Sequence, residues 1–321
     1  MKTEEKRTAA QLIKLQSLNL NQKIDHAAGT IEKFCREIPN PVISFSGGRD
    51  STVLLHLIRN VIKKDIPAVF FNTGNEYPEI IKFVRTFDNV TVLYPKTHLK
   101  QIIDRYGFPL ISKDYSMMIY KLRKGTKSGE IYLSKTFNSG VNNHWFLPEK
   151  YRYLINERFS CSDRCCSFLK KQPASKLNSI TGEMASESSL RQDIWIMYGC
   201  NSFNKKKSKS KPLSIWTGKD IREYIRLFDV RICPIYEDYR IERTGCMFCG
   251  FGAHLEKLSR FEYLMENHPK AYKWFLSLEN SGVTYEQAIN RIGVVLPHQN
   301  GYQRKRQEET ARRRRVSFNH Q

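Results

Sequence analysis

Short apolar runs alternate with helical patterns along the first third of the chain. Three of these runs are predicted to be buried strands, at 41–45, 68–74 and 89–95. The segments 51–64 and 98–107 carry apolar residues at helical spacing, so we predict a helix in each, the second ending at Gly107. Because strands and helices alternate, the pattern predicts an α/β fold with a parallel sheet covered on both faces.

The same patterning predicts further elements on either side of this region. Amphipathic helices are predicted over 5–38, 216–228 and 255–267. Thr217 is expected to cap the second of these helices together with Asp220, which follows three residues later. The apolar run at 193–200 is interpreted as another strand, whereas 108–165 shows no clean period.

Positive charge dominates the composition. The 321 residues carry a formal net charge of +21, and part of it lies in two runs, KKKSKSK at 205–211 and ARRRRVSF at 311–318. Such runs repel themselves and are expected to be solvated, the last 20 residues or so as a disordered tail. They are also compatible with contact to a polyanion such as nucleic acid, and the residues alone leave both interpretations open.

Cysteine usage depends on the compartment in which the chain works. No secretory signal and no apolar run of about 18 residues is recognisable, so we expect a cytoplasmic protein without a membrane span. Thiols stay reduced in that compartment. The eight cysteines therefore favour metal binding or catalysis over disulfides.

A glycine turn joins the first predicted strand to the next helix. In SFSGGRDS, Gly47 and Gly48 permit a tight turn and close backbone approach before a helix that begins near Ser51. Backbone amides and the positive helix end would then converge on an anion. The stretch is neither a Walker A loop nor a GxGxxG motif. Two interpretations remain open, a phosphate cradle and an ordinary turn.

Five cysteines fall into two clusters. CSDRCC supplies Cys161, Cys165 and Cys166, and GCMFCG supplies Cys246 and Cys249. Adjacent cysteines point apart and rarely bind one tetrahedral zinc ion, whereas the corners of a 4Fe-4S cluster suit them. We therefore predict that the last four bind such a cluster, with zinc or unligated thiols as alternatives. The remaining three are expected to be packing residues: Cys35, Cys200 and Cys233.

Four motifs carry a family resemblance. SGGRDS resembles the SGGxDS loop of the adenine nucleotide alpha-hydrolase (PP-loop) superfamily. NTGNEYPE at 72–79, TGEMASESSLR at 181–191 and PLSIWTGKDIREYI at 212–225 are similar, in this order, to motifs of the phosphoadenosine phosphosulfate (PAPS) reductase family. The cysteine pairs also resemble those of adenylyl-sulfate reductases and of the DNA phosphorothioation enzyme of this fold. The resemblance implies a Rossmann-like sheet with helical additions at both ends.

The resemblance also implies roles for individual residues. Nucleotide binding is expected from Ser44, Ser46, Gly47, Gly48, Arg49, Asp50, Ser51, Thr73 and Gly74. The substrate side is expected to hold Lys170, Glu187, Ser188 and Arg191. Catalytic roles are expected for Asp50, Arg191 and Cys161.

The domain organisation follows from the same motifs. A helical segment is expected at 1–40 and the nucleotide-binding α/β domain at 41–235. A cysteine-containing segment with C-terminal helices is expected at 236–300, followed by the basic tail at 301–321.

Two departures from the reductase pattern bear on the reaction. Met184 stands where sulfonucleotide reductases carry an arginine, and no cysteine follows Cys249, although those reductases use a C-terminal cysteine nucleophile. Cys161 is the candidate replacement for that nucleophile.

Three functions are compatible with these motifs. The first is ATP-dependent adenylation and sulfur transfer, with Mg²⁺, a sulfur donor and an acceptor such as nucleic acid. The second is adenylyl-sulfate or phosphoadenylyl-sulfate reduction with a thioredoxin-like reductant. The third is a non-catalytic nucleic-acid-binding module. In the two enzymatic hypotheses, the glycine turn and the cysteines are expected to form one active site.

Overall fold

The computed structural model describes residues 7–134, 146–204, 207–238, 241, 244–256 and 260–299. The predicted basic tail at 301–321 and the lysines at 205–206 lie outside these residues. The chain divides into two compact units. The sheet unit comprises Met1–Asn72, Tyr77–Tyr94 and Pro173–Glu237, and the cysteine unit comprises Thr73–Glu76, Pro95–Gln172 and Asp238–Gln321.

The helices and strands are numbered here in chain order. The α-helices of the described residues are α1 (Ala9–Gln16), α2 (Leu20–Glu37), α3 (Arg49–His56), α4 (Pro78–Val84), α5 (Leu99–Tyr106), α6 (Lys113–Arg123), α7 (Lys127–Glu130), α8 (Arg164–Cys166), α9 (Ser189–Tyr198), α10 (Gly218–Leu227), α11 (Arg260–Asn267), α12 (Pro269–Leu276) and α13 (Tyr285–Arg291). The strands are β1 (Val42–Ser44), β2 (Ala68–Phe71), β3 (Val90–Leu93), β4 (Leu110–Ile111), β5 (Ser179–Ile180), β6 (Asn201–Ser202), β7 (Lys209–Ser210), β8 (Gly250–Phe251), β9 (Glu279–Asn280) and β10 (Val283–Thr284).

A six-stranded sheet organises the sheet unit. Its strand order is β3-β2-β1-β5-β7-β6, and every pair is parallel except the antiparallel β6 and β7. The chain moves from β1 to β2 and β3 on one side, and later to β5 and β7 on the other. The order therefore reverses between β1 and β5, where α/β sheets commonly bind ligands at the carboxyl ends of their strands.

Burial explains why the first three strands form where the sequence predicts them. Ile43, Ala68 and Phe70 are almost fully buried, as a central parallel sheet requires. Around the sheet, α2 packs against β7 and α10, and α10 also contacts α3. The α/β class and the mostly parallel sheet predicted from the sequence are confirmed.

Helix caps decide the ends of several predicted helices. The capping box of Thr217 and Asp220 is present, and α10 begins directly after it. The helix predicted over 98–107 is α5, which ends at Gly107 with φ +86°. The single helix predicted over 5–38 is two helices, because Asn19 caps a new helix by accepting a hydrogen bond from the Gln22 amide at 3.0 Å.

The strand predicted at 193–200 is wrong, because this segment belongs to α9. Ser188 caps the helix, its hydroxyl accepting from the Arg191 amide at 3.3 Å, and Gly199 ends it with φ +67°. The continuous apolar run imitated a strand, although Trp195 is buried while Met197 is exposed. At 255–267, the α-helix is described from Arg260 onward.

The cysteine unit contains two small sheets and most of the shorter helices. Strands β4 and β8 pair in parallel, and β9 and β10 form an antiparallel hairpin. Phe108, Phe248 and Tyr285 are buried in its core and their rings contact one another. Within the part of the chain that the structure describes, no helix combines the length and apolar character needed to cross a membrane.

Candidate functional sites

The glycine turn in the sheet unit follows β1. Gly47 has φ +71°, which glycine adopts without strain, and a Cβ atom there would lie 3.0 Å from methyl groups of Ile80 and Val84. Gly48 then caps α3 without any side-chain hydrogen bond. Because no side chain caps this end, the first amides of α3 can bind an anion.

The hydroxyl groups of the loop hold its own backbone in place. The Ser51 hydroxyl donates to the Gly48 carbonyl at 2.9 Å and accepts from the Ser46 amide at 3.2 Å. The Thr52 hydroxyl donates to the same carbonyl at 2.9 Å. These bonds fix the turn before any ligand binds, so the loop is preorganised.

The segment after β5 meets this loop. A Cβ atom on Gly182 would lie 2.9 Å from the Asp50 carbonyl oxygen, so only glycine allows the two backbones to approach this closely. The contact joins the ends of the two strands between which the strand order reverses. Sequence reasoning did not single out Gly182, although it lies within the TGEMASESSLR motif.

The remaining predicted nucleotide-binding residues of this unit lie around the loop. Ser44 is the last residue of β1 and is half-buried, and Asp50 lies in the first turn of α3. The Arg49 guanidinium stacks over the Tyr236 ring, 4.2 Å from its centroid. This cation–π contact fixes the direction of a positive charge at the start of the helix.

The predicted substrate-side residues of the sheet unit form a hydrogen-bonded group. Glu187 accepts from the Met184 amide at 3.0 Å and forms an ion pair with Arg191. Ser188 is occupied as the cap of α9. Nearby, burial acts to raise the pKa of Glu183, but Lys211 at 3.3 Å and other cations outweigh it and lower the pKa overall.

The NTGNE turn belongs to the cysteine unit. Glu76 is 7% exposed, and its Oε2 atom accepts from the Thr73 amide at 2.8 Å and from the Thr73 hydroxyl at 2.7 Å. Both hydrogen-bond donors of Thr73 are therefore occupied by Glu76. Gly74 lies between them with φ +77°.

The first cysteine pair lies in α8 of the same unit. Cys165 is buried and Cys166 is half-buried, and their thiols form a hydrogen bond. This bond keeps the proton on Cys165, whose pKa is raised, and favours the thiolate of Cys166, whose pKa falls to about 6. The ammonium groups of Lys113 and Lys170 add to the lowering at Cys166.

The second cysteine pair lies in a tight turn, held from two sides. The Cys249 amide donates to the Cys246 carbonyl at 3.0 Å, and the Met247 amide donates to the Asn75 carbonyl at 2.8 Å. Tyr285 donates its hydroxyl to the Phe248 carbonyl. Desolvation raises the pKa of Cys246 to about 12 and also raises that of Cys249.

Arg260 adds a second contact to the same turn. Its guanidinium donates to the Cys249 carbonyl at 3.2 Å and is itself held by an ion pair with Glu256. The positive charge also lowers the pKa of Cys249, against the larger effect of desolvation. Arg260 therefore both positions the second cysteine pair and favours the thiolate needed for metal binding.

Charge connects the two cysteine pairs. Charge at Cys246 or Cys249 would raise the pKa of the Cys165 thiol, so the two pairs lie within range of electrostatic interaction. Lys170 lies among them, with its ammonium group 3.5 Å from Glu76 Oε1. A thiolate at Cys246 would raise the pKa of Lys170, and the Glu76 carboxylate raises it as well, so Lys170 stays cationic.

Four thiols of this kind are the donor set that iron–sulfur clusters require. The nearby cations Lys170 and Arg260 suit it, because a thiolate-ligated cluster is anionic. In the described part of the chain, no three His, Cys, Asp or Glu side chains are grouped as a site for one metal ion. The donor chemistry fits a cluster held by Cys165, Cys166, Cys246 and Cys249.

Burial raises the pKa of each of the other four cysteines. Cys161 is fully buried, forms an isolated β-bridge with Phe108, and its pKa is raised to about 12 by burial. A protonated, inaccessible thiol does not suit a nucleophile. Burial likewise raises the pKa of the three cysteines of the sheet unit: Cys35, Cys200 and Cys233.

Sequence reasoning missed the residues that support the cysteine pairs. Glu76 lies inside the quoted NTGNEYPE motif, in which it was not singled out. Tyr285 and Arg260 left no local signal, because their partners Phe248 and Cys249 are distant in sequence.

Comparison with known families and curated proteins gives a consistent result. Residues 40–250 match the model of the phosphoadenosine phosphosulfate reductase domain. Sulfate adenylyltransferase subunit 2 of Photobacterium profundum is 26% identical over 230 residues, covering 68% of each chain. The same subunit of Agrobacterium fabrum is 26% identical over 234 residues, covering 69% of this chain and 66% of the relative. The chain thus spans about two thirds of the length of these relatives.

Solved structures show more distant likeness. The phosphoadenylyl-sulfate reductase of Candida auris, in a phosphate complex, is 13% identical with a TM-score of 0.40, covering 74% of this chain and 95% of that one. The U34-tRNA thiolase NcsA of Methanococcus maripaludis, solved with its [4Fe-4S] cluster, is 11% identical with a TM-score of 0.33, covering 86% of this chain and 90% of that one.

Proposed function

Because the chain belongs to the phosphoadenosine phosphosulfate reductase domain family, we propose that it is an ATP-dependent enzyme that adenylates an acceptor for sulfur transfer. The supporting observation is the presence, in one chain, of a glycine loop before an uncapped helix start and of two cysteine pairs that interact electrostatically. The names of the sulfate adenylyltransferase relatives add that adenylyl transfer occurs among similar proteins.

The nucleotide chemistry is assigned to the sheet unit. The loop Ser46–Ser51 binds the phosphates of ATP through its amides, and Mg²⁺ accompanies the nucleotide. An acceptor oxygen attacks the α-phosphorus, the bond to the bridging oxygen breaks, and pyrophosphate leaves. Asp50 and Arg191 are proposed to orient the phosphates and to stabilise the charge that develops on them.

The sulfur chemistry is assigned to the cysteine unit. Cys165, Cys166, Cys246 and Cys249 are proposed to hold a 4Fe-4S cluster, which with a thiolate on every iron would supply structural order and charge rather than an open position for sulfur. A hydrosulfide attacks the acceptor atom that carries the adenylated oxygen, the bond between this atom and the oxygen breaks, AMP leaves with the oxygen, and the sulfur loses its proton. This sequence needs no oxidant or reductant. Lys170 supplies positive charge beside the cysteines, and Cys161 has no catalytic part.

The acceptor is proposed to be a nucleic acid, on the strength of the net charge of +21. Anaerobically purified protein should contain about four iron and four sulfide ions per chain. With labelled ATP, Mg²⁺, sulfide and RNA or DNA, it should release AMP and pyrophosphate in step with sulfur incorporation. The Cys249→Ser variant should lose iron, whereas Cys35→Ser, also a half-buried cysteine, should keep it. Cluster-loaded protein that forms neither product with any acceptor would contradict the proposal.

A second candidate is adenylyl transfer to sulfate, favoured by the names of the curated relatives. Sulfate, without any nucleic acid, would then support release of pyrophosphate from ATP. The Cys249→Ser variant would keep this activity. Release of sulfite from adenylyl-sulfate would instead identify a reductase.

A further inference from the structure

Two hydroxyl groups of the described sheet unit, those of Thr181 and Ser210, are shielded from solvent and have no hydrogen-bond partner. Thr181 directly follows β5, and its Oγ1 atom is shielded from solvent yet has no hydrogen-bond partner among the residues that the structure describes. The Thr181 amide donates to the Ser210 carbonyl at 2.9 Å, so the backbone pairing of the strands does not involve the Thr181 hydroxyl. A buried hydroxyl without a partner is destabilising, and such groups commonly mark a ligand or functional site.

The hydroxyl groups of the glycine loop and of the α9 cap differ from those of Thr181 and Ser210 in this respect. Ser51 and Thr52 both donate to the Gly48 carbonyl, and the Ser188 hydroxyl caps α9. Each of these groups satisfies backbone atoms of its own segment. Among these residues of the loop and the segment after β5, Thr181 is the one whose hydroxyl stays unsatisfied.

The position of Thr181 indicates which ligand would satisfy it. It stands at the carboxyl end of β5, beside β1, where the strand order reverses and α/β sheets bind their ligands. The next residue, Gly182, approaches the backbone of Asp50 and Ser51 so closely that an added Cβ atom would lie 2.9 and 3.2 Å from them. Thr181 is therefore one residue from contact with the start of α3.

We propose that the Thr181 hydroxyl hydrogen-bonds the adenine nucleotide that occupies this end of the sheet. The inference rests on the proposed nucleotide-binding function and adds a residue to it. A hydroxyl at this position can donate to a phosphate oxygen or bond to a ribose hydroxyl, and both belong to the same ligand. The Thr181 hydroxyl would then have a hydrogen-bond partner only when the nucleotide is bound.

The test measures nucleotide affinity by isothermal titration calorimetry with α,β-methylene-ATP, which resists cleavage between the first two phosphates. The Thr181→Val variant keeps the shape of the side chain but lacks the hydroxyl, so we expect binding about tenfold weaker. Thr181→Ser keeps the hydroxyl and should bind within about twofold of the unmodified protein. As a matched control, Thr30→Val removes a hydroxyl that is bonded within α2 at 2.8 Å, and should leave affinity unchanged.

Two further titrations locate the bond. Weaker binding of AMP by Thr181→Val, with inorganic pyrophosphate unaffected, would support a contact with the nucleoside end. The reverse result would support a contact with the phosphates. If Thr181→Val binds α,β-methylene-ATP as well as the unmodified protein does, the inference is overturned and the proposed function stands. If the unmodified protein does not bind the nucleotide, both are overturned.

Discussion

Removing the Tyr285 hydroxyl should loosen the turn that carries Cys246 and Cys249. Tyr285 is fully buried and donates to the Phe248 carbonyl, which lies between the two cysteines in sequence. In the Tyr285→Phe variant this carbonyl loses its donor in a dry environment. An unsatisfied buried group of this kind costs about 1–3 kcal/mol.

A second tyrosine provides a matched control. Tyr153 also donates its hydroxyl to a backbone carbonyl, that of Arg291, at 2.7 Å, but it is 42% exposed. In Tyr153→Phe, water can take over the bond, so the expected loss is below about 1 kcal/mol. The two variants differ in burial and in proximity to the cysteines, not in the group removed.

The assay is urea-induced unfolding followed by circular dichroism, together with the iron content of anaerobically purified protein. Tyr285→Phe should lower the transition midpoint with an unchanged denaturant slope and should lose iron faster in air. Tyr153→Phe should resemble the unmodified protein in both measurements. Equal midpoints for the two variants would refute the reasoning, because burial would then make no difference.

Three other perturbations test the remaining features of the molecule. Gly47→Ala forces an L-residue to φ +71° and should cost about 1–2 kcal/mol of stability while weakening ATP binding; unchanged affinity in a calorimetric titration would contradict the assignment of the loop. Glu76→Gln removes negative charge beside the cysteines and Lys170→Met removes positive charge. In a redox titration of the cluster, the first should raise the reduction potential and the second should lower it, and shifts of the same sign would contradict the charge argument. Burial lowers the pKa of His56 below its ordinary value of 6.5, so folding disfavours its protonated form. The stability linked to neutral His56 is fully present above about pH 6.5 and is lost as the pH falls below it. Between pH 7.5 and pH 5, the free energy of unfolding should therefore fall less in His56→Leu than in the unmodified protein.

Local signals accounted for the elements that were predicted well. The strands β1, β2 and β3 are short apolar runs between turns, and α10 has a capping box that can be recognised within four residues. The mostly parallel sheet followed from their alternation with helices. Each of these features depends on residues close together in sequence, which is the range over which patterns are informative.

The mistaken strand at 193–200 shows where such signals conflict. The apolar run DIWIMYGC favoured a strand, but Ser188 and Gly199 provide a start and a stop for a helix. The exposed Met197 and Tyr198 show that part of the apolar run is not buried at all. Caps should therefore have outweighed the continuous run.

The candidate sites show the same division between local and distant information. The glycine turn depends on Gly47 and Gly48, and its conformation follows from residues within the motif. The shared cluster of the two cysteine pairs remains a prediction from cysteine spacing and from resemblance, because no pattern within either pair specifies the other. The contacts of Tyr285 and Arg260 with the second pair required coordinates.

In the NTGNE turn, the hydrogen bonds of Thr73 differ from those that resemblance implies. Resemblance assigned Thr73 to the nucleotide, yet both of its donors bond Glu76, whose other oxygen faces Lys170. A nucleotide could bond these donors only by displacing a buried carboxylate and leaving it unpaired, which is costly. The simpler interpretation is that Thr73 serves the cysteine unit by orienting Glu76. Glu76 in turn positions the ammonium group of Lys170. A motif shared across a family can therefore keep its sequence while its side chains bond one another, as Thr73 and Glu76 do, instead of a ligand.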